Sequence, residues 1–94
     1  MTVVNFLGSE CELSYSEYRN GQTSIQLFSL VDEEPVAIAT LSIEAELAPD
    51  EVAVKDYGEN AGLQAVLQAA GVLSAPVRYE HAGFIRIPIC KVLG

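Results

Sequence analysis

An α+β fold, a mainly antiparallel twisted sheet of about six strands with one helix packed on one face, follows from three features of these 94 residues. Apolar and polar side chains alternate with a period of two from Thr2 to Ile43, the period of strands. One stretch alone, Leu63, Val66, Leu67 and Ala70, places apolar groups at i, i+3, i+4 and i+7, the stripe of a helix. Turn-forming residues stand at each break between runs. The predicted order is βββββαβ, with room for a short extra strand after the helix. Half of the residues are apolar, so residues 1–94 suffice for a single domain with one small core.

Val3 to Leu7 reads as the first strand, with Gly8-Ser9 as its turn. Glu10 to Tyr18 is the second: Cys11, Leu13 and Tyr15 point one way, Glu10, Glu12, Ser14 and Ser16 the other. Asn20-Gly21 predicts a tight primed hairpin turn, because both residues tolerate positive φ. A third strand then runs from Gln22 to Leu30. Asp32-Glu33-Glu34-Pro35 closes it as a charged loop in which proline fixes φ. Val36 to Leu47 reads as one long fourth strand, covered on both faces in its first half and then alternating, with Ser42, Glu44 and Glu46 opposite Ile43, Ala45 and Leu47. Ala48-Pro49-Asp50 turns the chain into a short fifth strand, Glu51 to Lys55.

The helix follows. Gly58 or Asn60 is the expected cap, Glu59 suits the positive end of the dipole, and Gly71 fits the residue just past the last turn. Val77 to His81 is either a short strand or an irregular connection. Phe84 to Val92 is the last strand, in which Pro88 predicts an edge position or a bulge because it has no N–H for a ladder.

Thirteen acids against five bases give a net charge of −8. Residues 1–54 hold ten acids and one base, Arg19; residues 55–94 hold three acids and four bases. The negative potential therefore belongs to the N-terminal half. Direct contact with a nucleic-acid backbone is disfavoured and a basic partner is favoured. No apolar run approaches the roughly 20 residues of a membrane-spanning helix, and Met1 to Glu10 lacks the pattern of a secretion signal. A cytoplasmic location is expected, with no membrane partner.

Cys11 and Cys90 have no CxxC or histidine spacing around them, which gives no ground for a zinc site or any other metal. Both sit among alternating apolar residues and read as buried free thiols; a disulfide would need their strands to be neighbours, and a reducing compartment argues against it. Lys55, Asp56, Tyr57, Glu59 and Asn60 form a dense polar cluster that could serve acid–base chemistry in a pocket. The stronger reading is a strand end followed by a helix start. His81 has no spacing that would make it the base for a cysteine nucleophile. No nucleotide, hydrolase or metalloprotease motif occurs, so the chain is expected to be non-catalytic and free of cofactors.

The acids are the remaining candidates. Residues two apart on a strand share a face about 7 Å apart, as Glu10 with Glu12 and Glu44 with Glu46 would. With Asp32, Glu33 and Glu34 they could compose a face with roughly half the linear charge density of duplex DNA. Carboxylates on exposed strands also serve solubility alone.

KDYGENAGLQAVLQAAGVL, residues 55–73, and GFIRIPICKV, residues 83–92, resemble a family of small acidic proteins carried by bacterial phages, plasmids and conjugative elements. Lys55, Asp56, Tyr57, Glu59, Asn60 and Gly62 match its K-D-Y-S-E-N-x-G pattern, and Gly58 stands where serine is more usual. The resemblance implies no catalytic residues. In size and acidity the chain is also similar to anti-CRISPR inhibitors. What this implies is a cytoplasmic protein of the bacterial host cell that occupies the basic nucleic-acid-binding groove of a CRISPR effector as a DNA mimic. The partner-binding residues would be Glu10, Glu12, Asp32, Glu33, Glu34, Glu44 and Glu46, and a monomer is favoured. The alternative is a non-catalytic accessory module of a mobile element, using apolar residues such as Phe28, Phe84 or Ile85.

Overall fold

The computed structural model describes residues 3–93, and the alternation of the N-terminal half becomes a meander. Strands β1 (Val3–Phe6), β2 (Ser9–Glu17), β3 (Thr23–Ser29) and β4 (Pro35–Ile38) pair antiparallel in sequence order. Leu7 and Gly8 form the first turn with φ of 53° and 78°, a tight primed turn one residue earlier than the expected Gly8-Ser9. Asn20-Gly21 does turn the chain, but by a different geometry. Tyr18 C=O accepts the Gly21 N–H at 2.9 Å and only Gly21 has positive φ, 85°, which corrects the expectation of a primed turn. The Asn20 side chain is used instead to accept the Gln22 N–H at 3.1 Å.

The expected single sheet is two. After β4 the chain passes Ala39 and enters β5 (Thr40–Leu41), which belongs to a second antiparallel sheet with β6 (Glu51–Val54), β7 (Arg78–Ala82) and β8 (Ile85–Lys91), ordered β5-β6-β8-β7. Ala39 is the junction: its N–H donates to Ile25 C=O in β3 and its C=O accepts from Lys55 N–H beyond β6, both at 2.8 Å. Thr40, buried, ties the sheets again, its hydroxyl accepting the Ile25 N–H at 3.0 Å while Tyr18 Oη donates to Thr40 C=O at 2.9 Å. Residues 42–50 then leave the ladder, so the long fourth strand is broken. Gln22 holds this segment in place of a strand partner, donating to the Ile43 and Ala45 carbonyls and accepting the Ile43 N–H.

The helix α1 (Leu63–Ala69) starts at Gly62, whose φ of 93° a side chain would strain. It ends in a Schellman arrangement in which Val72 N–H reaches Leu67 C=O and Gly71 N–H reaches Gln68 C=O, each at 3.0 Å, with Gly71 at positive φ. Leu63 and Leu67 are buried as the stripe requires, Val66 is half-buried, and Ala70 is exposed. One core lies between α1 and the inner faces of both sheets: Val4, Phe6, Cys11, Ile25 and Leu27 meet Leu63, Leu67, Val52, Val54 and Cys90. On the other side of the second sheet, Ala53, Ile87 and Ile89 are covered by Leu41, Ile43 and Leu47 from the irregular segment. That cover explains why all four residues of β6 are buried.

β8 corrects the reading of Pro88. It is an interior strand, paired with β6 on one side and β7 on the other. The β6 ladder ends at Ala53↔Ile89, so the register stops just before the position where Pro88 would owe an N–H. The connection left open after the helix is the strand β7, with Tyr79 opposite Pro88.

Candidate functional site

The seven carboxylates named from the sequence fall into two groups. Glu10 and Glu12 stand on the outer face of β2, since Cys11 between them is buried in the core. Their neighbours across the ladder are Asn5 and Val3 on β1, with Phe28 of β3 opposite Glu12. The β3–β4 loop is fastened beside them: Leu30 N–H donates to Glu10 C=O at 2.9 Å. Within that loop, Asp32 Oδ1 accepts the Glu34 N–H at 3.1 Å and Ser29 C=O accepts the Glu33 N–H at 2.9 Å. Asp32, Glu33 and Glu34 are exposed. Five carboxylates are thereby held at one end of the meander on an ordered backbone.

Glu44 and Glu46 are elsewhere. Their segment is bound by Gln22 and Asn20 of the β2–β3 turn, the opposite end of the meander. From Glu10 to Glu17 along β2 is roughly 24 Å at the usual strand rise. The expected strand face carrying Glu44 and Glu46 is corrected accordingly: the chain is irregular there because it has left β3 for the second sheet at Ala39. Both remain exposed, on the rim of a cleft of about 900 Å³ between the β2–β3 turn and residues 42–49.

None of the seven forms an ion pair among the described residues. Among the described residues the ion pairs are Arg78 with Glu51 at 2.7 Å and with Glu80 at 3.3 Å. Glu51, buried, is held below the usual carboxylate range chiefly by the Arg78 hydrogen bond, then by the Ala48 N–H that it accepts at 2.9 Å. Arg78 is raised in turn, mainly by Glu51. This pair links residues 27 apart in the chain, and nothing local in the sequence announces it.

The polar cluster before the helix is occupied by structural tasks. Asp56 Oδ1 accepts the N–H groups of Gly62 and Gln64 at 3.0 and 3.1 Å, so it, and not Gly58 or Asn60, caps α1. Asn60 is buried and donates to Ile38 C=O at 2.7 Å, joining the 3-10 turn Gly58–Asn60 to β4. Lys55 Nζ lies 5.9 Å from the centre of the Tyr57 ring. His81 is exposed and sits opposite Arg86 in the β7–β8 ladder. Cys11 and Cys90 are buried free thiols, both pushed up by desolvation.

Sequence reasoning missed the apolar neighbours of the first acidic group. Leu7, Leu30 and Val31 are exposed at the same end, Val31 by 90%. They sit next to strands and so read as strand ends; only the turn geometry turns them outward. No group of three or more His, Cys, Asp or Glu side chains among the described residues is placed to hold a metal ion, and no described helix is long and apolar enough to cross a membrane. No family model, no curated protein and no solved structure matches this chain.

Proposed function

We propose that the chain is a stoichiometric inhibitor of a bacterial CRISPR effector, acting as an acidic decoy for the effector's basic nucleic-acid-binding groove. The observation that carries this reading is the gathering of Glu10, Glu12, Asp32, Glu33 and Glu34, none in an ion pair among the described residues, at one end of the meander. Carboxylates without an ion-pair partner among the described residues, on a fixed backbone, attract a lysine- and arginine-lined surface and speed its approach. Exposed Leu7, Leu30 and Val31 beside them add apolar area that free phosphates lack. Glu44 and Glu46 form a separate contact at the other end of the meander, which suits a groove long enough to hold a stretch of duplex. Asp56, a carboxylate of the polar cluster before the helix, is already committed to the helix start, and Asn60 to β4, which favours a binding role over catalysis.

The test is expression in cells bearing different CRISPR systems, challenge with phage, and recovery of the effector with the tagged protein. Glu10→Lys with Glu12→Lys, combined with Glu33→Lys and Glu34→Lys but leaving Asp32 to hold the loop, is expected to abolish inhibition and capture while leaving the melting temperature nearly unchanged. Capture should also weaken steeply as salt rises, because surface charges are screened within about 10 Å at 0.1 M. Undiminished inhibition by the reversed variant overturns this site.

A second reading has its own observation. Phe84 is fully exposed at the tip of the β7–β8 hairpin, with Ile85 beside it. An accessory module of a mobile element would dock through this tip. Its complex would tolerate salt and be lost on Phe84→Ser.

A further inference from the structure

The face of the second sheet that carries Ile87 is roofed by the irregular segment, and Ile87 itself is buried. Leu41 and Ile43 of the irregular segment reach over it, and between that segment and the β7–β8 hairpin lies a cleft of about 320 Å³. Ile87 is buried at its floor, Leu41 and Ile43 are half-buried, and Glu44 and Glu80 are among the residues that border it. The register puts Glu80 directly opposite Ile87, hence on the same face. His81 also borders the cleft, but its side chain is one residue out of phase and lies on the other face of β7.

From this geometry we infer that the cleft takes an arginine side chain projecting from the partner. The inference rests on the reading of a basic partner given above and names a second, sharply defined contact for it. An arginine has a three-carbon apolar stem and a planar cationic head, which suits a partly apolar cleft bordered by two acidic residues. Glu44 has no hydrogen bond or ion pair among the described residues, so its charge is fully available. Glu80 shares Oε2 with Arg78 Nε at 3.3 Å, while the stronger bond of Arg78 goes to Glu51 at 2.7 Å. The guanidinium is preferred to an ammonium because it is more weakly hydrated and can bond two carboxylates at once through its fork of N–H donors.

The probe is n-butylguanidinium at millimolar concentration, titrated into the isotope-labelled protein while backbone amide shifts are followed. Saturable shifts are expected at residues 41–45 and 80–82, with none from n-butylurea, which has the same stem and no charge. Glu44→Gln should weaken the probe by about tenfold, and Glu10→Gln with Glu12→Gln should leave it unchanged. Shifts that do not saturate, equal shifts from the urea, or indifference to Glu44→Gln overturn the inference. Glu44→Gln breaks no contact in the fold, so it can be read even if changing Glu80 disturbs the Arg78 pair. The probe needs no effector: an empty cleft alongside intact inhibition removes this pocket alone, and a filled cleft alongside absent inhibition removes the decoy alone.

Discussion

Asp56 accepts the backbone N–H of Gln64 at 3.1 Å, holding the first turn of α1 from eight residues upstream. The same oxygen takes the Gly62 N–H at 3.0 Å, so two orphan donors of a seven-residue helix depend on one carboxylate. Asp56→Ala should cost about 1 kcal/mol, lowering the melting temperature by about 4–8 °C in a domain of this size. Asp56→Asn keeps an accepting oxygen and should recover most of the loss. Equal melting by thermal denaturation for all three proteins would show that the cap is not needed.

Leu7 occupies a left-handed position, φ 53°, in the first hairpin turn and is 69% exposed, so it has strain without much burial to offset it. Leu7→Asn supplies the residue preferred before glycine in a primed turn. Chemical denaturation should show a gain of about 0.5–1 kcal/mol.

The two sheets share the Thr40 hydroxyl, which accepts the Ile25 N–H at 3.0 Å in a buried site. Thr40→Val preserves shape and leaves that donor unpaired, at a cost of about 1–3 kcal/mol. Thr40→Ser retains the bond and should cost less. A Val variant as stable as wild type would remove the hydroxyl from the junction.

Glu51 titrates below its ordinary range because Arg78 and the Ala48 N–H stabilise its charged form. The sign follows from linkage: with the folded value below the unfolded one, its contribution is present above the unfolded carboxylate range and is lost as pH falls through the folded value. Stability measured from neutral to acid pH should therefore fall, and Glu51→Gln should start lower at neutral pH with a shallower acid limb. An unchanged limb would place the acid sensitivity elsewhere.

Local patterns in the sequence were sufficient for the first three strands of the meander, the helix stripe from Leu63 to Leu67 and the Gly71 stop, because each depends on neighbours a few residues away. The division into two sheets was not legible. Residues 36–47 read as a single strand, apolar on both faces at first and then alternating, and only the choice of partner, β3 before Ala39 and β6 after it, breaks the run. Pro88 misled for a related reason: proline excludes a ladder bond on one side at one position, and the β6 ladder ends where that bond would fall. The acids of residues 10–12 and 32–34 were found by composition, but their grouping apart from Glu44 and Glu46 required the fold. Leu7, Leu30 and Val31 carried no signal, since an apolar residue at a strand end looks the same whether it points inward or out.

The interior place of β8 has a practical consequence for handling the protein. Loss of residues 85–91 would take away the shared neighbour of β6 and β7, leaving each with an open row of amide and carbonyl groups facing a vacant slot. Another molecule's strand could fill that slot, so C-terminal clipping in storage should appear as swapped dimers or precipitate.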